Sequence, residues 1–141
     1  MNQTIAPAAA LMTLFTILLI VFAIALLPLI FYCLTIQKAM NRCSPENRAM
    51  APGMVWLLLV PLVNIIWHFF VVMNVAKSMA AEYQKRGLAV EPNPGQNIGL
   101  VMCIAACCGF VPIVNLLAAP TAFVCWIIYW VKVAGLSTRL A

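Results

Sequence analysis

Six cysteines, eight methionines and a single histidine are the residues of this sequence that could bind a soft metal ion. Cys103 and Cys107 lie one helical turn apart, and thiolates suit Cu(I). The sequence has no Cys-x-x-Cys, no Met-x-x-Met and no histidine near these two cysteines. We therefore predict no metal and no cofactor, with the cysteines packing as small apolar side chains. His68 is expected to make a buried hydrogen bond, and a metal held by His68 or the cysteines is the less favoured alternative.

Groups suited to acid–base or nucleophilic catalysis are few. The sequence has no aspartate, and Glu46, Glu82 and Glu91 fall in predicted loops or helix extensions. No nucleophile is placed beside a base at the spacing of a catalytic triad. The sequence therefore predicts a non-enzymatic protein without catalytic residues.

The composition indicates where these residues lie. Of 141 residues, 66% are hydrophobic and 8% are charged, and the mean hydropathy is +1.07, whereas a soluble domain has about 25% charged residues. The charged residues occur in groups that are separated by uncharged stretches long enough to cross a bilayer. We therefore predict an integral membrane protein whose net charge of +5 suits anionic lipid headgroups, without a nucleic-acid partner.

The uncharged stretches predict an all-α fold, a four-transmembrane-helix bundle forming one domain over residues 1–141. The second helix is expected to extend beyond the membrane surface and to end at Gly87. The first helix has no basic residues before it and is too long for a cleaved signal. In the alternative interpretation, 98–120 enters the membrane and returns on the same side, which leaves three crossings and moves the C-terminus to the other side. The predicted helices span about 8–36, 54–86, 98–116 and 119–138.

One short motif occurs twice, as Val-Pro-Leu-Val-Asn from residue 60 and as Val-Pro-Ile-Val-Asn from residue 111. Pro61 and Pro112 are predicted to kink their helices, because proline removes a backbone hydrogen bond. Asn64 and Asn115 are expected to bond the carbonyl that each proline leaves free. The alternative is that both motifs face a solute path or a partner.

Two helices carry patterns that predict packing faces. Asn64, His68, Ser78 and Glu82 follow a spacing of four and three along the second helix, with valines between them, and this seam should face protein. The third helix is rich in small residues, which allow close helix packing and predict a central position.

Basic residues near helix ends predict the orientation of the chain. With four spans, five basic residues share one side with both termini, and three basic residues lie on the opposite side. The five are Lys77, Lys85, Arg86, Lys132 and Arg139. This distribution favours both termini in the cytoplasm.

The segments "NRAMAPGMVWLLLVPLVNIIWHFFVVMNVAKSMAAEYQKRG" and "CWIIYWVKVAGLSTRL" carry a Pro-Gly-x-Val-Trp-Leu, a Pro-x-x-Asn-x-x-Trp and an Ile-Tyr-Trp-x-Lys motif. In these three motifs the sequence resembles a family of small bacterial multi-pass membrane proteins whose function is unknown. The resemblance covers about 60 residues and implies a location in the bacterial cytoplasmic (inner) membrane. Together with the patterns above, it gives these candidate contact residues for helix packing or a partner: Pro61, Asn64, Trp67, His68, Ser78, Gly99, Cys103, Gly109, Pro112 and Asn115.

Two classes of function are consistent with these features. The first is a structural or accessory subunit that associates with itself or with a larger membrane complex. The second is a homo-oligomeric channel or carrier for a small solute or ion, with Asn64, His68 and Asn115 lining the path.

Overall fold

The structure, a computed structural model, describes the backbone of residues 5–141 and the side chains of residues 9–141. The expectation of an all-α fold is confirmed, because residues 5–141 contain helices and no strand. Four α-helices are joined by turns and by two short 3₁₀ helices. In chain order the elements are α1 (Ile5–Arg42), the first 3₁₀ helix (Pro45–Asn47), the second 3₁₀ helix (Pro52–Leu59), α2 (Pro61–Lys85), α3 (Gln96–Cys108) and α4 (Pro112–Arg139).

The chain divides into two compact units, residues 1–31 and residues 32–141. In the described part of the first unit, no side chain of residues 9–31 is buried, and leucine, isoleucine and phenylalanine are exposed all around the helix. A helix that is apolar on every side is typical of a membrane span. Pro28 lies inside α1.

Three helices are long and apolar enough to cross a membrane: Ala9–Arg42, Pro61–Lys85 and Pro112–Arg139. These support the membrane class. The third predicted span is different, because α3 has 13 residues and is therefore about 20 Å long, against about 30 Å for the hydrocarbon core of a bilayer. α3 is therefore too short for the predicted full crossing. The alternative interpretation is not reproduced either, because 98–120 does not return by itself and α4 makes the return as one continuous helix.

The turn after α3 lies at residues 109–111, so the predicted boundary between spans near 118–121 is wrong. α4 begins at Pro112 and continues without interruption past Pro120. Proline is well suited to the first helical position, because its missing N–H has no intrahelical acceptor there. Val111 is extended, with φ −92° and ψ 114°, as expected for a residue before proline.

The second helix begins at Pro61 and not at about residue 54 as predicted, because here too a proline takes the first helical position. Residues 52–59 form a 3₁₀ helix, Val60 is extended, and Pro61 is the first residue of α2. The predicted kinks at Pro61 and Pro112 are therefore wrong, because each proline begins a helix instead of interrupting one. The two copies of the motif mark equivalent places, where a short helical limb ends and a long helix begins.

The predicted end of the second helix is confirmed. Gly87 has φ +66°, which favours glycine. Its N–H donates to the Gln84 carbonyl at 3.1 Å, and the Leu88 N–H donates to the Tyr83 carbonyl at 2.9 Å. This pair of bonds is the Schellman arrangement that closes a helix C-terminus.

The C-terminal ends of three helices meet in the second unit. The Arg86 guanidinium donates to the Arg42 carbonyl at 3.1 Å and to the Leu140 carbonyl at 2.9 Å. The last turns of α1, α2 and α4 therefore lie at one end of this unit, and α2 and α4 run in the same direction. The second 3₁₀ helix and α3 run the opposite way, as the return limbs of two helical hairpins.

Candidate functional site

A cavity of about 390 Å³ lies between α2, α3 and α4. It is bounded by one face of each helix and by the turn after α3, so its walls come from both hairpins. None of its lining side chains is an acid, a lysine or an arginine. The lining residues are Asn64, Ile65, His68, Met102, Cys103, Ala106, Phe110, Ala122, Phe123 and Trp126.

Asn64 is the polar residue of this cavity closest to the start of α2. Its Oδ1 atom is buried and has no hydrogen-bond partner among the described residues. Since Pro61 is the first residue of the helix, the carbonyl that the asparagine was expected to bond is not freed by a kink. The hypothesis that Asn64 repairs a kink is therefore wrong, and the Oδ1 atom is buried without a hydrogen-bond partner in the described part of the chain.

His68 lies one turn further along α2 and makes the kind of hydrogen bond that the sequence predicts. Its Nε2 atom is 2.8 Å from the Tyr32 hydroxyl. The Tyr32 ring packs against Trp126, with ring centroids 5.4 Å apart, and against Trp130 at 6.1 Å. An aromatic cluster thus holds the histidine at the cavity wall.

Cys103 is buried and lines the cavity, whereas Cys107 and Cys108 are not among its lining residues. Across the described residues, no group of three histidine, cysteine or acidic side chains could hold a metal ion. Outside the helices, burial raises the pKa of the Cys43 thiol to about 11, which makes it a poor nucleophile. The predicted absence of metals and cofactors stays a prediction.

The second copy of the motif does not reach the cavity. Asn115 and Pro112 are exposed, and the Asn115 side chain makes no hydrogen bond within the described part of the chain. The hypothesis of a local repair is therefore wrong for Asn115 too. The structure brings Asn64 and His68 together at the cavity. It leaves Asn115 exposed, with its Oδ1 atom beside Gly109 in the turn after α3.

The remaining candidate residues serve packing and turns. An ideal Cβ on Gly99 would lie 2.5 Å from Val72 Cγ1, so α2 and α3 approach closely there, as the small residues of α3 predict. Gly109 belongs to the turn after α3. Trp67 Nε1 donates to the Met54 carbonyl at 2.8 Å and holds the second 3₁₀ helix against α2.

The seam predicted on α2 is buried from Val71 to Glu82. Ser78 accepts a hydrogen bond of 2.8 Å from the Ala49 N–H, which fixes the connection after α1. Glu82 accepts from the Ser44 N–H at 2.7 Å, from Asn47 Nδ2 at 2.8 Å and from Arg86 Nε at 2.8 Å. The sequence predicted the burial of this carboxylate but not its partners, which come from a loop without a recognisable motif.

All eight basic residues lie at the same end of the second unit as Glu82. We call this region the charged end, and it comprises the last two to three turns of α1, α2 and α4 with the connections 43–51 and 86–95. Lys132 pairs with Glu91 at 2.9 Å, and Arg42 donates to the Ser137 carbonyl at 2.6 Å. The predicted division of five basic residues against three is therefore wrong, because it assumed that α1 and α2 end on opposite sides. The basic residues are Lys38, Arg42, Arg48, Lys77, Lys85, Arg86, Lys132 and Arg139.

Comparison with known proteins adds no relative to this description. No protein-family model, no curated protein and no solved structure matches the chain.

Proposed function

We propose that this protein is a non-enzymatic subunit of the bacterial cytoplasmic membrane that associates with a second copy of itself through the first half of α4. The observation that supports this function is the exposed amide of Asn115, in a helix segment with the length and hydropathy of a membrane span. Association with a larger membrane complex is the other form of the same function, and the experiment below separates the two.

The surface around Asn115 is strongly apolar. The neighbouring side chains of Ile113, Leu116 and Leu117 are 89%, 82% and 76% exposed. In hydrocarbon, an amide without a partner is costly, and a neighbouring helix is the usual source of one. An association that covers this face would therefore satisfy the amide.

The amide favours a second copy over an unrelated partner because it is self-complementary. Asparagine carries a carbonyl acceptor and an NH₂ donor on the same group. In a two-fold symmetric contact each residue meets its equivalent, so two Asn115 side chains can donate to and accept from each other. The contact needs no second kind of protein.

Replacing Asn115 by leucine tests this contact. Loss of two interhelical bonds of roughly 0.6 kcal/mol each should raise the Kd of self-association about eightfold. Energy transfer between donor-labelled and acceptor-labelled protein, measured at increasing lipid-to-protein ratio in phosphatidylcholine vesicles, gives this Kd. Asn64→Leu is the matched control, because the same substitution in the other copy of the motif lies in the cavity and should leave self-association unchanged.

Two results would contradict the proposal. The first is equal association of the wild type and Asn115→Leu. The second is a monomeric chain that co-purifies with other membrane proteins after gentle extraction, which would favour the subunit of a larger complex.

The same proposal includes an orientation. Basic residues are retained in the cytoplasm during membrane insertion, so we place the charged end, with both connections and the C-terminal end of α4, in the cytoplasm. A single crossing by α1 then puts its N-terminal end on the outer side. This replaces the four-span arrangement with both termini inside, and α3 and the second 3₁₀ helix become the short limbs of hairpins.

A channel or carrier is the second candidate, and the cavity favours it. Asn64 and His68, two of the three residues expected to line a path, lie in one cavity within a single chain. Uptake of a small solute into vesicles that contain the protein, compared with vesicles that contain the Asn64→Leu variant, tests this function. Equal uptake in both would exclude a path through this cavity.

A further inference from the structure

A second cavity, of about 460 Å³, lies at the charged end between the connection 86–95 and the last third of α4. We propose that this cavity binds the headgroup phosphate of an anionic phospholipid. The proposal rests on the membrane location in the proposed function. It does not rest on self-association, because no residue from the first half of α4 lines this cavity.

Arg139 provides a positive charge that the protein itself does not neutralise. This residue lines the cavity and is exposed, and its side chain forms no hydrogen bond or salt bridge with residues 9–141. A guanidinium group can donate two parallel hydrogen bonds to the oxygens of one phosphate. The donors of Arg139 are therefore available to a bound anion.

Lys132 and Glu91, which also line the cavity, set the amount of negative charge that it accepts. The two side chains pair at 2.9 Å and are 36% and 64% exposed. Such an exposed pair is weak, and a lysine has three N–H donors, so a phosphate can share Lys132 with Glu91. Together with Arg139, the pair leaves one positive charge, which matches the single negative charge of a phosphodiester.

Gly135 provides the space between the two basic residues. It lies three residues after Lys132 and four before Arg139, so all three are on one face of α4. Gly135 lines the cavity, and an added Cβ would meet nothing within 4 Å. A phosphate group can therefore approach the helix between the lysine and the arginine.

The surroundings of the cavity favour a lipid over a free phosphate ion. Ile127, Ile128 and Val131, on the preceding turns of α4, are 41%, 46% and 66% exposed. Val131 also lines the cavity, together with Val90 and Pro94 from the connection. The cavity thus borders an apolar surface suited to acyl chains on one side and carries its basic residues on the other. Basic pockets on the cytoplasmic side of membrane helices recognise anionic lipid headgroups in this way.

The test compares phosphatidylglycerol with phosphatidylcholine of identical acyl chains. Phosphatidylcholine has the same phosphate, but its choline group cancels the charge. Binding to the labelled full chain in a neutral detergent is measured by microscale thermophoresis. The wild type should bind phosphatidylglycerol about five times more tightly than phosphatidylcholine, the usual effect of one basic residue near an anionic headgroup.

Four variants locate the effect. Arg139→Gln should reduce the preference for phosphatidylglycerol to about one, as should Gly135→Leu, which fills the cavity and leaves every charge in place. Lys77→Gln is the matched control, because it removes the same charge from another exposed residue of the charged end that does not line the cavity. It should keep the wild-type preference. Glu91→Gln should increase the preference, because it removes the carboxylate that competes for Lys132.

Three results would overturn the proposal. One is equal binding of both lipids by the wild type, and another is an equal loss of preference in Arg139→Gln and Lys77→Gln, which would indicate attraction by net charge alone. The third is displacement of phosphatidylglycerol by excess sodium phosphate but not by sodium chloride of equal ionic strength, which would assign the cavity to the free ion. Asn115→Leu should bind both lipids as the wild type does, so failure of the self-association proposal is detected separately.

Discussion

Glu82 is a carboxylate that is 1% exposed and is surrounded by donors from two parts of the chain. Ser44 and Asn47 belong to the connection after α1, and Arg86 is the residue directly after α2, four residues beyond Glu82. Arg86 also reaches the Arg42 and Leu140 carbonyls, so a single ion pair joins the ends of three helices. Breaking such a pair leaves a charged group with too few partners.

We expect Glu82→Ala to lower the free energy of unfolding by about 3 kcal/mol. Unfolding in detergent with increasing sodium dodecyl sulfate, followed by tryptophan fluorescence, measures the change. Glu91→Ala is the control, because it removes an exposed pair with Lys132 and should have little effect. Equal losses in both variants would show that Glu82 does not hold the charged end together.

The residue scale also shows what the sequence could and could not predict. The spacing from Asn64 to Glu82 predicted a buried seam, because helical periodicity depends on residue type alone. The hydrogen bonding of the Asn64 and Asn115 side chains could not be predicted, because it depends on the residue at which each helix begins. A proline at the first position of a helix frees no carbonyl, so Asn64 and Asn115 have nothing local to repair.

Gly99 is the point at which α3 comes closest to its neighbours. An ideal Cβ there would lie 2.5 Å from Val72 Cγ1 and 3.0 Å from Tyr129 Cε2. Val72 is fully buried and β-branched, so its methyl group cannot move aside without changing the helix spacing. The short distance between α2 and α3 is therefore possible because Gly99 has no Cβ.

Gly99→Ala should destabilise the protein by about 1 to 3 kcal/mol, the usual cost of overpacking. Val72→Ala in the same chain should restore part of this loss, because it removes the methyl groups that the new Cβ would meet. Gly135→Ala is the matched control, since a Cβ there meets nothing within 4 Å. Thermal unfolding of all four proteins in one detergent makes the comparison, and a Gly99→Ala variant as stable as Gly135→Ala would contradict the close approach.

The element boundaries were the hardest feature to predict. In a soluble protein a turn is marked by polar residues, because its backbone must bond water. The breaks at Val60 and at residues 109–111 lie in apolar sequence, and their N–H groups bond preceding carbonyls instead, as Val111 does with Cys108 at 3.1 Å. A proline that starts a helix and a proline inside one, such as Pro120, then look alike in the sequence.

At the scale of the whole molecule, the basic residues of the second unit lie at one end. The sequence predicted the membrane class, because composition alone decides it. The predicted division of the basic residues between two sides of the membrane came from counting every long apolar stretch as a full crossing. Arg86 and Arg42 are far apart in the sequence, but the Arg86 guanidinium contacts the Arg42 carbonyl. This contact brings the basic residues of α1 and α2 to the same end.

The proposed orientation gives a direct expectation for fusion proteins. Green fluorescent protein fused after Ala141 should fluoresce, and alkaline phosphatase at the same position should be inactive, because both report a cytoplasmic location. An epitope tag before α1 should bind an antibody added outside spheroplasts. If the tag binds only after the membrane is permeabilised, while the C-terminal fusion still fluoresces, both ends lie inside and the arrangement of four full spans is correct.

The gathering of charge at one end also affects how the chain enters the membrane. In this orientation none of its eight basic and three acidic side chains has to be carried through the hydrocarbon layer. Each hairpin, the second 3₁₀ helix with α2 and α3 with α4, exposes only uncharged residues at its leading tip, around Val60 and Phe110. Transfer of such a tip avoids the large cost of moving a charge into lipid, so the two hairpins can insert from the cytoplasmic side as complete units during synthesis.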